Sequence, residues 1–134
     1  MGSFGRFDFS KNHTPSPDSL TYSPRSGLNG KFSVVRFKDK DTHQFIYYAP
    51  NLEISSYGET VAKAEEMFKF LVDDFLSGLL KHSADHVRGE ILKLGWVKDG
   101  LWNKKFSKMH IDINGELKNY NVEEGSLEHL QMVA

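Results

Sequence analysis

The chain has 134 residues, 39% hydrophobic and 26% charged, the balance of one ordinary globular domain with a modest core. It has no cysteine, which excludes disulfides, thiolate nucleophiles and zinc–thiolate sites together and points to a reducing compartment. With 17 Lys and Arg against 18 Asp and Glu, the net charge of −1 exerts no general pull toward nucleic acid or anionic lipid, so either would need a local patch.

No apolar run approaches the roughly 18 residues a membrane span needs, and the first residues, MGSFGRFDFSKNH, lack the apolar stretch of a signal peptide. The expected location is cytoplasmic, with no membrane association. Residues 1–30 hold three of the four prolines (Pro15, Pro17, Pro24) among many Ser, Thr, Asn and Gly, with Phe4, Phe7, Phe9 and Tyr22 following neither helical nor strand period. This composition predicts a tail, with two readings open: solvated throughout, or weakly docked in a groove through its aromatics. A single domain then runs over 31–134, a core at 31–82 followed by an extension at 83–134.

From Phe32 the pattern turns to strand. FSVVRFK, HQFIYYA and LEISS are rich in β-branched and aromatic residues and are separated by the turn-prone DKDT and by Pro50-Asn51, which predicts a three-stranded antiparallel meander. In LEISS, Leu52 and Ile54 alternate with Glu53 and Ser55, so one face is buried. The first two strands carry apolar residues on both faces (Val35 and Phe37 against Phe32 and Val34), so their second face is expected to be covered by another chain segment or by a partner.

A corner at Tyr57-Gly58 then leads into a long helix. Thr60 is its expected N-cap, and Glu65 and Glu66 are read as early acidic residues favoured by the helix dipole. Ala64, Met67, Phe68, Leu71, Val72, Phe75 and Leu79 recur at helical spacing and form the predicted stripe against the sheet. Phe70 lies about 140° from the stripe centre, at roughly 100° per residue. Its neighbours there are Glu66, Asp73 and Ser77, so it should be exposed unless a partner covers it, and Phe70, Glu66 and Asp73 become the candidate protein-binding residues.

SADHVRGEILKLG predicts a second, shorter helix capped by Ser83, with Val87, Ile91, Leu92 and Leu94 as its apolar side and Gly95 as its end. Asn114-Gly115 predicts a hairpin, and LEHLQMVA, residues 127–134, a last short strand. The overall expectation is an α+β fold.

Strand-to-helix corners can carry chemistry, since helix N-terminal N–H groups attract anions and activate nucleophiles. Here Ser55-Ser56-Tyr57-Gly58 has no nearby base, and no G-x-S-x-G, Walker A or G-x-G-x-x-G run occurs. Two-metal phosphoryl transfer on an RNase H-like scaffold needs a carboxylate in the first strand, where FSVVRFK offers only Arg36 and Lys38, and Glu53 reads as a solvated strand charge. Of the six histidines, His82 and His86 have i, i+4 spacing but straddle a helix start and lack an acidic third ligand, so neither metal nor cofactor is expected. WVKDGLWNKKFSK places Lys98, Lys104, Lys105 and Lys108 among Trp96, Trp102 and Phe106, a mixture used for single-stranded nucleic acid but equally produced by core tryptophans flanked by solvated lysines.

With these elements in order, residues 32–80 resemble the HicB family of antitoxins. The likeness is carried by FSVVRF, by FIYYAPNLEI, by S-x-G-E-T opening a helix with Glu65-Glu66, and by the spacing Pro50-x-Leu52-x-x-Ser55-x-x-Gly58-x-Thr60. The resemblance implies a β-β-β-α-β module, a reduced RNase H-like fold without nuclease carboxylates, that covers and neutralises a small RNase toxin of the HicA kind. It also implies that Pro50, Gly58 and Thr60 form an architectural corner, with Gly58 supplying backbone freedom. Two departures stand out: Lys63 replaces the acidic residue that often closes the capping box with the Thr, and residues 83–134 do not read as the DNA-binding extension many members carry. The expected function is therefore non-enzymatic protein binding, antitoxin-like or as an oligomerisation module, with a dimer expected. The alternative is nucleic-acid binding through Trp102, Lys104, Lys105 and Lys108.

Overall fold

A computed structural model describes residues 8–11, 18–99, 101–104 and 121–133. The chain is α+β, with the elements Asp8–Lys11 (β1), Asp18–Ser23 (β2), Gly27–Lys38 (β3), Phe45–Ala49 (β4), Ile54–Gly58 (β5), Val61–Leu79 (α1), Ala84–Lys93 (α2), Val97–Asp99 (β6), Leu101–Lys104 (β7) and Glu128–Val133 (β8). All strand pairs are antiparallel, and β3 is their hub. Along one edge it pairs first with β2, from Gly27 to Lys31, and then with β4, from Val35 to Lys38; along the other it pairs with β8, from Lys31 to Arg36. β5 extends the sheet beyond β4, β1 extends it beyond β8, and β7 and β6 extend it beyond β2.

The meander β3–β4–β5 and the last strand occur in the predicted order, with β5 displaced two residues toward the C-terminus, but the sheet begins much earlier than residue 31. Residues 18–30 are not a tail: Ser23 pairs with Gly27 across the turn Pro24-Arg25-Ser26, and Leu20 and Leu28 are buried in the main core. Pro24 stands at the turn position where its fixed φ is favourable, Ser26 N–H donates to Ser23 Oγ at 2.9 Å, and Gly27 takes a φ of 77°. Residues that read as tail composition are hairpin chemistry. Of the four aromatics, Phe9 and Tyr22 pack on the core, while Phe4 and Phe7 lie outside the described residues.

α1 lies across the sheet with Ala64, Phe68, Val72, Leu76 and Leu79 buried, a row of i, i+4 steps to Leu76 with Leu79 one i+3 step further. The predicted stripe is thus rotated: Leu76 joins it, Leu71 and Phe75 are half-buried at its margins, and Met67 is 44% exposed. Phe68 packs against Tyr47 at 5.6 Å between ring centroids, and Phe9 meets Tyr47 edge-on at 5.8 Å. On the opposite face of the sheet, Val35 and Phe37 are sealed by Ile46, Tyr48, Val122 and Leu127, so the chain's own segment at 121–127 covers the second apolar face.

α2 starts at Ser83, whose hydroxyl accepts from His86 N–H at 3.3 Å. It ends in a Schellman turn: Trp96 N–H donates to Ile91 O, Gly95 N–H donates to Leu92 O, and Gly95 takes a φ of 93°. Val87 and Ile91 are buried, but Leu92 is 57% exposed and Leu94 only half-buried, which narrows the predicted apolar side. The predicted hairpin at Asn114-Gly115 lies outside the described residues. No helix among the described residues is long and apolar enough to cross a membrane.

Candidate functional site

The corner between β5 and α1 resolves into packing. After β4, Leu52 N–H donates to Ala49 O and Glu53 N–H to Pro50 O, and Glu53 adopts a left-handed φ of 57°, which turns the chain within a few residues. β5 therefore starts at Ile54 rather than Leu52, although Leu52 stays buried and Glu53 exposed. Ser56 Oγ donates to Ala64 O at 2.8 Å, tying β5 to the first turns of α1. A Cβ on Gly58 would come within 2.6 Å of Ala64 N, so glycine is required by the closeness of the helix backbone and not by conformational freedom. Thr60 caps the helix as expected, its hydroxyl accepting from Lys63 N–H at 3.1 Å. The first turn of α1 has no acidic residue: Glu65 lies a turn later and pairs with Lys69 at 3.6 Å.

The outer face of α1 is the most exposed apolar feature of the helix. Phe70 is 67% exposed, with Met67 one turn before it, while the opposite side of the same helix is closed on the sheet. Glu66 and Asp74 are exposed at i−4 and i+4 from Phe70, so the three stand in one row along the helix, and the half-buried Asp73 lies beside them, accepting from Ser77 Oγ at 3.5 Å. The lysines of the helix are engaged elsewhere: Lys63 pairs with Glu59 at 3.6 Å, and Lys69 pairs with Glu65 and lies over the Phe9 ring. The face is consequently an apolar centre with an acidic rim.

A second cluster escaped the sequence reading. Asp18, buried at the head of β2, accepts from Ser33 N–H at 2.9 Å with each oxygen, from Ser33 Oγ at 2.6 Å and from Asn51 Nδ2 at 2.9 Å. The Trp96 indole N–H donates to Asn51 O at 3.2 Å, which ties the segment after α2 into the same knot. The carboxylate fills the gap on the edge of β3 between the end of its pairing with β2 at Lys31 and the start of its pairing with β4 at Val35. Serine hydroxyl and carboxylate are both closed off from solvent, which makes this a latch holding four segments together rather than a place for substrate. The available signal was parity, because Asp18 shares the inward face of its strand with Leu20 and Tyr22.

Within the lysine–tryptophan segment, Trp96 and Val97 are the residues whose side chains are described. Trp96 is buried, edge-on to Phe32 at 5.8 Å, which places it in the core. Lys98 falls in β6; Trp102 and Lys104 fall in β7, where their backbones pair with Leu20 and Asp18. Lys105, Phe106 and Lys108 lie outside the described residues. The rings of His82 and His86 lie 4.2 Å apart with their planes tilted by 38°, and His86 Nε2 stands 4.0 Å from a Glu90 oxygen. Among the described residues no group of three or more His, Asp or Glu is placed to hold a metal.

With this geometry in hand, the chain was compared with known proteins: no protein-family model matches it, and neither a curated protein nor a solved structure does.

Proposed function

We propose that this protein is a non-enzymatic protein-binding module that docks a partner on the outer face of α1. The observation that carries the reading is Phe70, a large aromatic left 67% exposed on a helix whose other side is fully packed. The order β3–β4–β5–α1 supports an antitoxin-like, HicB-like module, since it is the order that resemblance implies. On that reading the partner is a small basic RNase of the HicA kind, which an acidic rim of Glu66, Asp73 and Asp74 would attract. The core position of Trp96 counts against the nucleic-acid alternative.

The test is co-expression with the short basic protein encoded by an adjacent reading frame, followed by size-exclusion chromatography. A stable complex is expected, and Phe70→Glu should abolish co-elution while shifting stability by no more than about 0.5 kcal/mol, as for other exposed positions. No complex, or a complex indifferent to Phe70→Glu, would overturn the proposal.

A further inference from the structure

The row formed by Glu66, Phe70 and Asp74 specifies more than a basic partner. We infer that this face is built to take an arginine side chain, stacked on the Phe70 ring and paired with the carboxylates on either side; the inference rests on the protein-binding reading above. Glu66 and Asp74 stand four residues, about 6 Å along the helix, before and after Phe70, so a cation centred over the ring lies within reach of both. Neither carboxylate has an ion pair among the described residues, and the nearest lysines, Lys63 and Lys69, are held by Glu59 and Glu65. The site therefore presents an aromatic face and two free acceptors, with no cation among the described residues paired to them.

The chemistry of the occupant follows from exclusion as well as from fit. Phosphate, whether of nucleic acid or of a lipid headgroup, is repelled by Glu66, Asp73 and Asp74. A second copy of the chain, meeting this face about a two-fold axis, would set Glu66 and Asp74 of one protomer against the same rim of the other. Between the two cationic side chains, guanidinium is planar, weakly hydrated and able to stack while it donates in its own plane, whereas an ammonium must give up a tight hydration shell to lie on a ring. Met67, one turn from Phe70, offers a soft apolar wall for the arginine stem.

Hexa-arginine and hexa-lysine peptides, titrated separately into the 15N-labelled full chain and followed by amide shifts, test the inference. Hexa-arginine should move signals centred on residues 66–74 and bind about threefold or more tightly than hexa-lysine. Phe70→Leu keeps apolar bulk without the ring and should erase the preference for arginine; the amide spectrum itself reports that the variant is folded. Glu66→Gln with Asp74→Asn should weaken both peptides and flatten their salt dependence. Equal affinity for the two peptides, shifts centred elsewhere, or an arginine preference that survives Phe70→Leu would each overturn the inference. A protein complex that forms through α1 without arginine preference would sink this inference alone, whereas the absence of any protein complex would sink the reading on which it rests.

Discussion

At the scale of single residues, the buried carboxylate of Asp18 is the most consequential polar group described. The groups hydrogen-bonded to it, the Ser33 N–H, the Ser33 hydroxyl and the Asn51 amide, are all donors. Asp18→Ala should therefore leave several buried donors unsatisfied and cost about 2–4 kcal/mol in denaturant unfolding. Asp18→Asn should be nearly as damaging, because its NH2 group turns a donor toward donors; near-wild-type stability of the Asn variant would show that the carboxylate does not hold this knot. Tyr47 is the second informative residue. Burial raises its hydroxyl above the ordinary value of 10.0, outweighing the hydrogen bond from Arg36 that lowers it. A group raised in the folded state contributes stability that is fully present below the unfolded pKa and is lost as pH climbs through the folded value. Wild-type stability should thus begin to fall above about pH 10 more steeply than that of Tyr47→Phe, which carries no ionisable group there. Parallel pH profiles of the two proteins in thermal melts would contradict this.

At the scale of elements, two glycines make opposite predictions. At Gly58 an added Cβ meets backbone at 2.6 Å, where neither β5 nor the first turn of α1 can give way cheaply, so Gly58→Ala should destabilise by about 2 kcal/mol or more. At Gly89, within α2, an added Cβ meets nothing within 4 Å, so Gly89→Ala should stabilise by about 0.5–1 kcal/mol through helix propensity and a less disordered unfolded chain. Urea unfolding of both variants checks the pair, and a stabilised Gly58→Ala would mean that the corner is looser than the packing implies. These elements also mark what the sequence could and could not reveal. The caps at Thr60 and Ser83 and the helix stop at Gly95 are local chemistry and were legible. The exposure of Phe70 was legible too, because it lies far enough from the apolar stripe to survive a phase error. That phase error itself, with Leu76 core and Met67 exposed, arose because both residues are apolar and only the sheet beneath α1 decides between them. β2 was invisible because Pro24 and Gly27, which close its hairpin, have the same composition as a disordered tail.

At the scale of the whole molecule, β3 is where the fold is decided, because it pairs with β2, β4 and β8 along its two edges. Its first residues, Gly27 to Lys31, have β2 along one edge, and β2 brings Leu20 to the core and Asp18 to the latch. A chain beginning at Asp18 loses β1 and, with it, the packing of Phe9 on Tyr47 and Phe68; it should remain folded and lose about 1–3 kcal/mol, the worth of one largely buried aromatic. A chain beginning at Gly30 loses far more. Leu20 and Leu28 leave the core at about 1.5–3 kcal/mol each, Ser33 N–H and Asn51 Nδ2 lose their buried acceptor, and β7 loses β2, the strand that joins it to the rest of the sheet. Those losses together are comparable to the 5–15 kcal/mol by which a domain is ordinarily stable, so the shorter chain should fail to fold. Circular dichroism melts of the two truncations against the full chain decide the matter. A cooperative transition from the Gly30 chain, within a few degrees of the full protein, would mean that β2 is an appendage and that the meander and α1 fold without it.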